Sequence, residues 1–478
     1  MSTSNQAADG EILSKATIAA PVVVAEQPRP GVPRAYAFPS FERVRLANGL
    51  TVISVDLPGR PLLSASLILR NGAADEPSAQ AGATVLSARA LTEGTAQHDA
   101  IALVEATERL GASLHADAGW DAYSVGVDVP ASRLEAAVAL LAEVVAQPAF
   151  PAGEVERIRD ERLNDLLQAR AEARRRLDEA FSAAIYTPES PYHRPAAGTR
   201  DTVSGLDRDR LQAAWLRGVD PQAMTFIVAG DLSGLDPVRI AGDLMGGWQR
   251  AAQASQAGPI VASSALTGRR LLIVDKPGAP QTEIKVGHVG VTRRIPDFHA
   301  VSVMSAILGG LFNSRLNMKL REEKGYTYGA GAGFDARRAA GPFSARAAVN
   351  TDVTAAALAD LVAELDRIRS ERVTDAELAA ARDFLVGVFP LRFETPGPVV
   401  GAMQGMIVHD LPDDELATYR ARIEAVTVDD VRSAAQDHID LERAAAVLVG
   451  DAAAIATSLE GTGFGPVEVV RDEGEPAG

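Results

Sequence analysis

ILGGLFNSRLNMKLREEKGYTYGAGAGF, residues 307–334, is the stretch whose reading decides the fold. It reads as a helix, a glycine-rich turn, a second helix and a strand. Ile307-Leu308-Gly309-Gly310 ends an apolar helix, because glycine in the last turn stops helical hydrogen bonding at little cost. Residues 315–324 are a run of good helix formers, with Leu316 and Leu320 at i and i+4 on one face, and Gly325 closes the run. Tyr326-Thr327-Tyr328 then switches to strand composition, with small residues after it. Arg321 near the helix end and Tyr328 in the strand are spaced to bring a guanidinium and a phenol to one side of a helix–strand corner. Taken on spacing alone, a surface arginine and a half-buried tyrosine are the more frequent outcome.

The chain has 478 residues, too many for one compact core and consistent with two to four domains. A hydrophobic content of 47% with 23% charged residues describes a soluble globular protein, and no apolar run approaches the roughly 20 residues that span a bilayer. The absence of cysteine excludes disulfides and thiolate metal sites and is compatible with a reducing or an oxidising compartment. A net charge of −16 argues against a nucleic-acid partner and tolerates a neutral or basic peptide. Residues 16–25 are mildly apolar, but Asp9, Glu11 and a lone Lys15 precede them, not the basic start of a secretory signal, so a cytoplasmic location is expected. Residues 1–39, with Pro21, Pro28, Pro30, Pro33 and Pro39, read as an extended arm.

A repeat organises the rest. Asn48-Gly49 between two apolar runs signals a hairpin. Residues 62–69 read as a strand, 81–91 and 101–110 as helices, 113–118 and 121–129 as a strand pair, 134–145 as a helix, and 154–180 as one long charged helix. Residues 225–229 form a strand ending in Gly230-Asp231. Asp56-Leu57-Pro58-Gly59 returns as Asp275-Lys276-Pro277-Gly278, Leu140-Leu141-Ala142-Glu143 as Leu361-Val362-Ala363-Glu364, and Val228-Ala229-Gly230-Asp231 as Leu448-Val449-Gly450-Asp451. All three recur in the same order at nearly one offset. The expected organisation is an arm (1–39), a first domain (40–248), a linker (249–267), a second homologous domain (268–470) and a tail (471–478). Hairpins followed by helices make each domain α+β, with a mainly antiparallel sheet packed with helices.

These residues resemble the insulinase/pitrilysin family of zinc peptidases, in the two-half form found in bacterial heterodimeric peptidases and mitochondrial processing peptidase. The resemblance is carried by Leu46-Ala47-Asn48-Gly49-Leu50, residues 82–95, Pro191-Tyr192-His193-Arg194-Pro195 and Gly230-Asp231. In the second half it is carried by Leu308-Gly309-Gly310, Ser314-Arg315-Leu316 and, most specifically, residues 320–328. It implies a processing-peptidase or LuxS-like metallohydrolase fold whose two domains pair with a second such pair around a chamber. It also implies that Arg321 and Tyr328, at the matching positions, hold substrate backbone near a zinc ion.

The zinc motif of that family, H-x-x-E-H on a first-half helix, pairs two histidines with a later carboxylate and leaves a position for water that the glutamate deprotonates. None of the seven histidines here belongs to such a motif. Counted back from Gly94-Thr95, Val85 stands for the first histidine, Ala88 for the glutamate and Arg89 for the second histidine. Asp165 falls near the third-ligand position, where it is placed to pair with Arg89. A permanent guanidinium charge where a dication should sit argues that the metal is lost.

Other constellations carry less. A substitute site of His98 and His115 with Asp165 lacks ligand spacing, and His193 in its proline turn, His288, His299, His409 and His438 read as structural. Arg170, Arg174, Arg175 and Arg176, interspersed with acids, read as a solvated helix face. Gly329, Gly331 and Gly333 either relieve crowding in a twisted strand or let a substrate strand approach. The expected function is that of a non-catalytic, substrate-binding subunit of a heterodimeric zinc metallopeptidase. Arg321 and Tyr328 would serve the zinc of a homologous partner that carries H-x-x-E-H, and this chain would hold no cofactor of its own. The alternative is a non-enzymatic scaffold or peptide-binding protein of the same fold.

Overall fold

Two Asp-x-Pro-Gly turns sit at equivalent corners of two equivalent sheets. The computed structural model describes residues 31, 34–255 and 258–471, and from Tyr36 onward the chain forms one unit. Most of the expected arm, and all of the expected tail except Arg471, lie outside the described residues.

The first sheet contains β1 (Phe41–Arg45), β2 (Thr51–Asp56), β3 (Leu62–Leu69), β4 (Ser113–Ala118), β5 (Tyr123–Pro130) and β6 (Met224–Gly230), in the order β1-β2-β6-β3-β5-β4. The second contains β7 (Arg270–Asp275), β8 (Gln281–Val289), β9 (Ala330–Phe334), β10 (Pro342–Asn350), β11 (Ala445–Gly450) and β12 (Val467–Val470), in the order β12-β7-β11-β8-β10-β9. From β2 and β7 onward the two orders are the same. β2 pairs β6, β7 pairs β11 and β12 pairs β7 in parallel; every other neighbouring pair is antiparallel. The two-domain α+β architecture read from the repeat is therefore present.

The repeated turns explain why that repeat survives in the sequence. Leu57 N–H donates to the Gly230 carbonyl at 2.7 Å, and Lys276 N–H to Gly450 at 2.8 Å. Gly59 N–H donates to Asp231 at 2.9 Å, and Gly278 N–H to Asp451 at 2.8 Å. Asp56 and Asp275 each accept from the chain leaving the central strand, both at 3.0 Å. Gly59 and Gly278 have φ of 78° and 71°, a left-handed conformation that glycine adopts without steric cost.

Each half lends a helix to the other. Ala173–Ile185 crosses to the second sheet, where Leu177, Phe181 and Ile185 pack with Leu272, Val447 and Val449. Pro396–Val408 makes the reciprocal crossing, setting Val399, Met403 and Met406 against Ile53, Ile68 and Ile227. Both faces of each central strand are thereby covered, and β6 and β11 are buried at every position. The crossing corrects one expectation. Residues 154–180 are not one helix but parts of two, Ala152–Ala169 and Ala173–Ile185. The first packs on the first half's own helices and the second on the other sheet, which a single straight helix cannot do. Among the described residues no helix is long and apolar enough to cross a membrane.

Candidate functional site

The site is assembled where a helix, a glycine turn and an outer strand meet. Phe298–Ser305 runs on through a π-helical turn, Ala306–Gly310. A Cβ on Gly309 would lie 2.1 Å from the Ala332 nitrogen, so glycine is fixed there by the close approach of β9, beyond any role in stopping the helix. The next helical segment, Asn317–Glu323, is π-helical and buries Leu320. Asn317 ties the three pieces together. Its amide nitrogen donates to the Leu311 carbonyl at 3.2 Å and lies 3.3 Å from the Ser314 hydroxyl, and its oxygen accepts from Ala330 N–H at 2.8 Å. Arg315 anchors the start, with Nε 2.6 Å from Glu377 Oε1. Burial alone would raise the Glu377 pKa, but Arg315 and the Thr374 N–H bring it down to about 2.

Tyr326–Tyr328 does not extend as a strand; β9 begins at Ala330. Gly325, at φ 64°, turns the chain so that Tyr326 N–H caps the Leu320 carbonyl at 2.8 Å. Thr327 Oγ1 then donates to the Gly329 carbonyl and accepts its N–H, a local turn that competes with sheet pairing. Tyr328 is consequently 94% exposed, not half-buried. The Arg321 guanidinium lies 4.4 Å over the Phe312 ring, and its nearest acid is the adjacent Glu322 at 3.5 Å. β9 is the outer strand of its sheet. A Cβ on Gly333 would meet nothing within 4 Å, so crowding does not account for that glycine.

The first-half helix that would carry the metal motif is Ala83–Ala90, and its N-terminus is firmly held. The buried Glu76 carboxylate accepts from Gly82 N–H at 2.8 Å and Thr84 N–H at 2.9 Å, with Arg194 3.4 Å away. On this helix Val85 is half-buried, Ala88 buried and Arg89 exposed. Arg89 pairs with Glu161 at 2.7 Å, not with Asp165 as expected. Asp165 instead takes two bonds from Arg175, at 2.7 and 2.8 Å, and a further one from Arg162, and Arg175 above all brings its pKa down to about 2. The donor set does not fit zinc, because its one carboxylate is spent on two guanidinium groups and its other positions are valine, alanine and arginine.

His98 is bonded to Glu143 at 2.9 Å, His115 packs against Gly126, and His193 Nδ1 lies 2.9 Å from the Tyr186 carbonyl. Among the described residues no three His, Asp or Glu side chains come together as a ligand group. The arginine cluster of 170–176 is not simply a solvated face, since Arg175 holds Asp165 and Arg176 reaches the Asp275 carbonyl across the halves. Sequence reasoning missed Asn317 and Phe312. Their signals were an asparagine, a poor helix former, inside a helical run and an aromatic directly after a glycine turn.

Residues 51–200 match the family model described as Insulinase (Peptidase family M16), and residues 205–385 the model described as Peptidase M16 inactive domain. An uncharacterized zinc protease of Mycobacterium leprae is 26% identical over 407 residues, covering 85% of this chain and 91% of that protein. A Helicobacter pylori protein named as a non-peptidase homolog is 22% identical over 384 residues, covering 78% and 86%. Among solved structures, a peptidase M16 inactive domain from Pseudomonas fluorescens superposes with a TM-score of 0.77 at 25% identity, covering 86% of this chain and 98% of that one. A protease from Helicobacter pylori shares the fold with a TM-score of 0.80 at 18% identity, covering 87% and 100%. Two family models in tandem, matching relatives and a shared fold make the chain a member of the insulinase family, peptidase family M16, with a non-catalytic half.

Proposed function

We propose that this chain is the non-catalytic, substrate-binding subunit of a heterodimeric zinc peptidase that cleaves peptides inside an enclosed chamber. A homologous partner supplies the H-x-x-E-H helix and its zinc, and this chain supplies Arg321 and Tyr328. The observation that carries the reading is the near-complete exposure of Tyr328. An aromatic side chain has about 150–250 Å² to bury, and none of the described residues covers this one. Arg321 is likewise not committed to a buried acid. Two such donors suit substrate carbonyls or an oxyanion as it develops. The outer edge of β9, beside them, suits pairing with an extended peptide.

The test is to purify the chain with its native partner and follow turnover of a quenched-fluorescence peptide. Arg321→Ala and Tyr328→Phe should each lower turnover by about ten- to a thousand-fold. Near-full activity in both variants refutes the role. Zinc measured on the isolated chain should be far below stoichiometric, and one equivalent would contradict the misfit of the donor set. A non-enzymatic scaffold or peptide-binding protein is the second reading, favoured by the name of the Helicobacter pylori relative. Purification without any H-x-x-E-H chain would select it.

A further inference from the structure

Arg315 and Arg321 are held in opposite ways. Arg315 is buried and spends Nε and an NH2 group on Glu377, at 2.6 and 3.1 Å. Arg321 lies on the Phe312 ring. A ring under a planar guanidinium restrains it through one face and leaves the in-plane N–H groups free to donate. Phe312 is itself 72% exposed, so it contributes little to the core. Met318 and Tyr328 are also exposed, and the backbone next to all three is drawn together by Asn317, which bonds the Leu311 carbonyl and the Ala330 N–H. Of the twelve large apolar side chains exposed among the described residues, these three fall within residues 312–328. Exposed apolar side chains gathered in one segment, with a cation whose nearest acid is the adjacent, exposed Glu322, mark a binding surface more than scattered exposure does.

We propose that Phe312 is a positioning and specificity residue. Its ring fixes the Arg321 guanidinium, and with Met318 and Tyr328 it selects peptides that carry a large apolar side chain beside the gripped amide. The inference rests on the substrate-binding reading of Arg321 and Tyr328 and names the class of peptide that site takes. Arg321 donates to the peptide carbonyl, the outer edge of β9 receives the backbone, and the neighbouring apolar side chain settles on Phe312.

The probes are two fluorescein-labelled Gly/Ser decapeptides that differ only in a central leucine or serine, titrated by anisotropy into the full-length chain. The wild type should prefer the leucine peptide by about tenfold, the lower end of what burying a leucine supplies. Phe312→Ala should lose most of that preference and, because the Arg321 guanidinium loses its seat, should also bind the serine peptide more weakly than wild type, and Phe312→Trp should restore both, because an indole offers apolar area and a π-face. Arg321→Ala should weaken both peptides alike. A preference that persists in Phe312→Ala, while Arg321→Ala weakens both peptides, overturns the selection by Phe312 and leaves the grip standing. Unchanged binding of both peptides in Arg321→Ala overturns the grip and the selection together.

Discussion

Arg338 is a polar tie between the two halves whose loss can be measured by one substitution. It lies in the loop between β9 and β10 and reaches into the first half. An NH2 group is 2.7 Å from both carboxylate oxygens of Asp75, and its backbone N–H donates to Asp121 at 3.0 Å. Its neighbour Arg337 rests on the rings of Tyr192 and Trp120, at 4.6 and 5.0 Å. The Asp75 side chain is only 6% exposed, and this burial pushes its pKa up, while the Gly72 N–H and Arg338 pull it down and Asp121 adds to the rise. Arg338→Ala would leave that carboxylate buried without its cation, which costs about 3–5 kcal/mol. The assay is the urea midpoint of the full chain.

The sign of its pH dependence follows from Asp75. Without Arg338 the folded pKa rises further above the unfolded value of 3.8. A carboxyl in that state destabilises the fold as pH climbs above the unfolded value, and the loss is relieved as pH falls and the group takes up its proton. The deficit of Arg338→Ala should therefore shrink between about pH 7 and about pH 4.5. Adding Asp75→Asn should recover part of it at neutral pH by removing the charge. A deficit below about 1 kcal/mol, or one that is the same at both pH values and in the double variant, refutes the reasoning.

Other outcomes follow from the site. Glu377 has a folded pKa of about 2 against 4.5 unperturbed, so its pairing with Arg315 stabilises above the unfolded value and is lost as pH falls through the folded one. Glu377→Gln should cost about 2 kcal/mol near neutrality after discounting for solvent screening, and thermal melts of variant and wild type should converge towards about pH 2. A constant difference across that window would exclude the pairing. Gly309→Ala sets a methyl against the β9 backbone and should cost about 1–3 kcal/mol, with faster amide exchange along β9. Gly333→Ala, which meets open space, is the control, and equal behaviour of the two would contradict the close approach.

Much of this architecture is written locally. The paired Asp-x-Pro-Gly turns and the Gly-Asp strand ends keep their residues because each uses a left-handed glycine and a carboxylate on backbone N–H groups, a demand that composition records directly. The break at 170–172 is not legible, because residues on both sides favour helix and only the distant second sheet requires a turn there. Arg89 and Asp165 stand at aligned positions, yet Asp165 is claimed by Arg162, one helical turn earlier, and by Arg175, beyond the break. Tyr326-Thr327-Tyr328 has strand composition, but the Thr327 hydroxyl satisfies the Gly329 backbone first, and that hydrogen bond is what exposes Tyr328.

The exchange of helices between halves has a consequence for biosynthesis. The last strand of the first sheet ends at Gly230, whereas the helix that shields Ile53, Ile68 and Ile227 is Pro396–Val408. About 180 further residues must be made before it is complete, which at roughly 5–20 residues per second takes on the order of ten to forty seconds. For that interval the nascent first half holds a finished sheet with one greasy face bare to water or to a chaperone. Ribosome pausing or truncation anywhere in the second half would strand it there, so the quality of the first half is decided by the translation of the second.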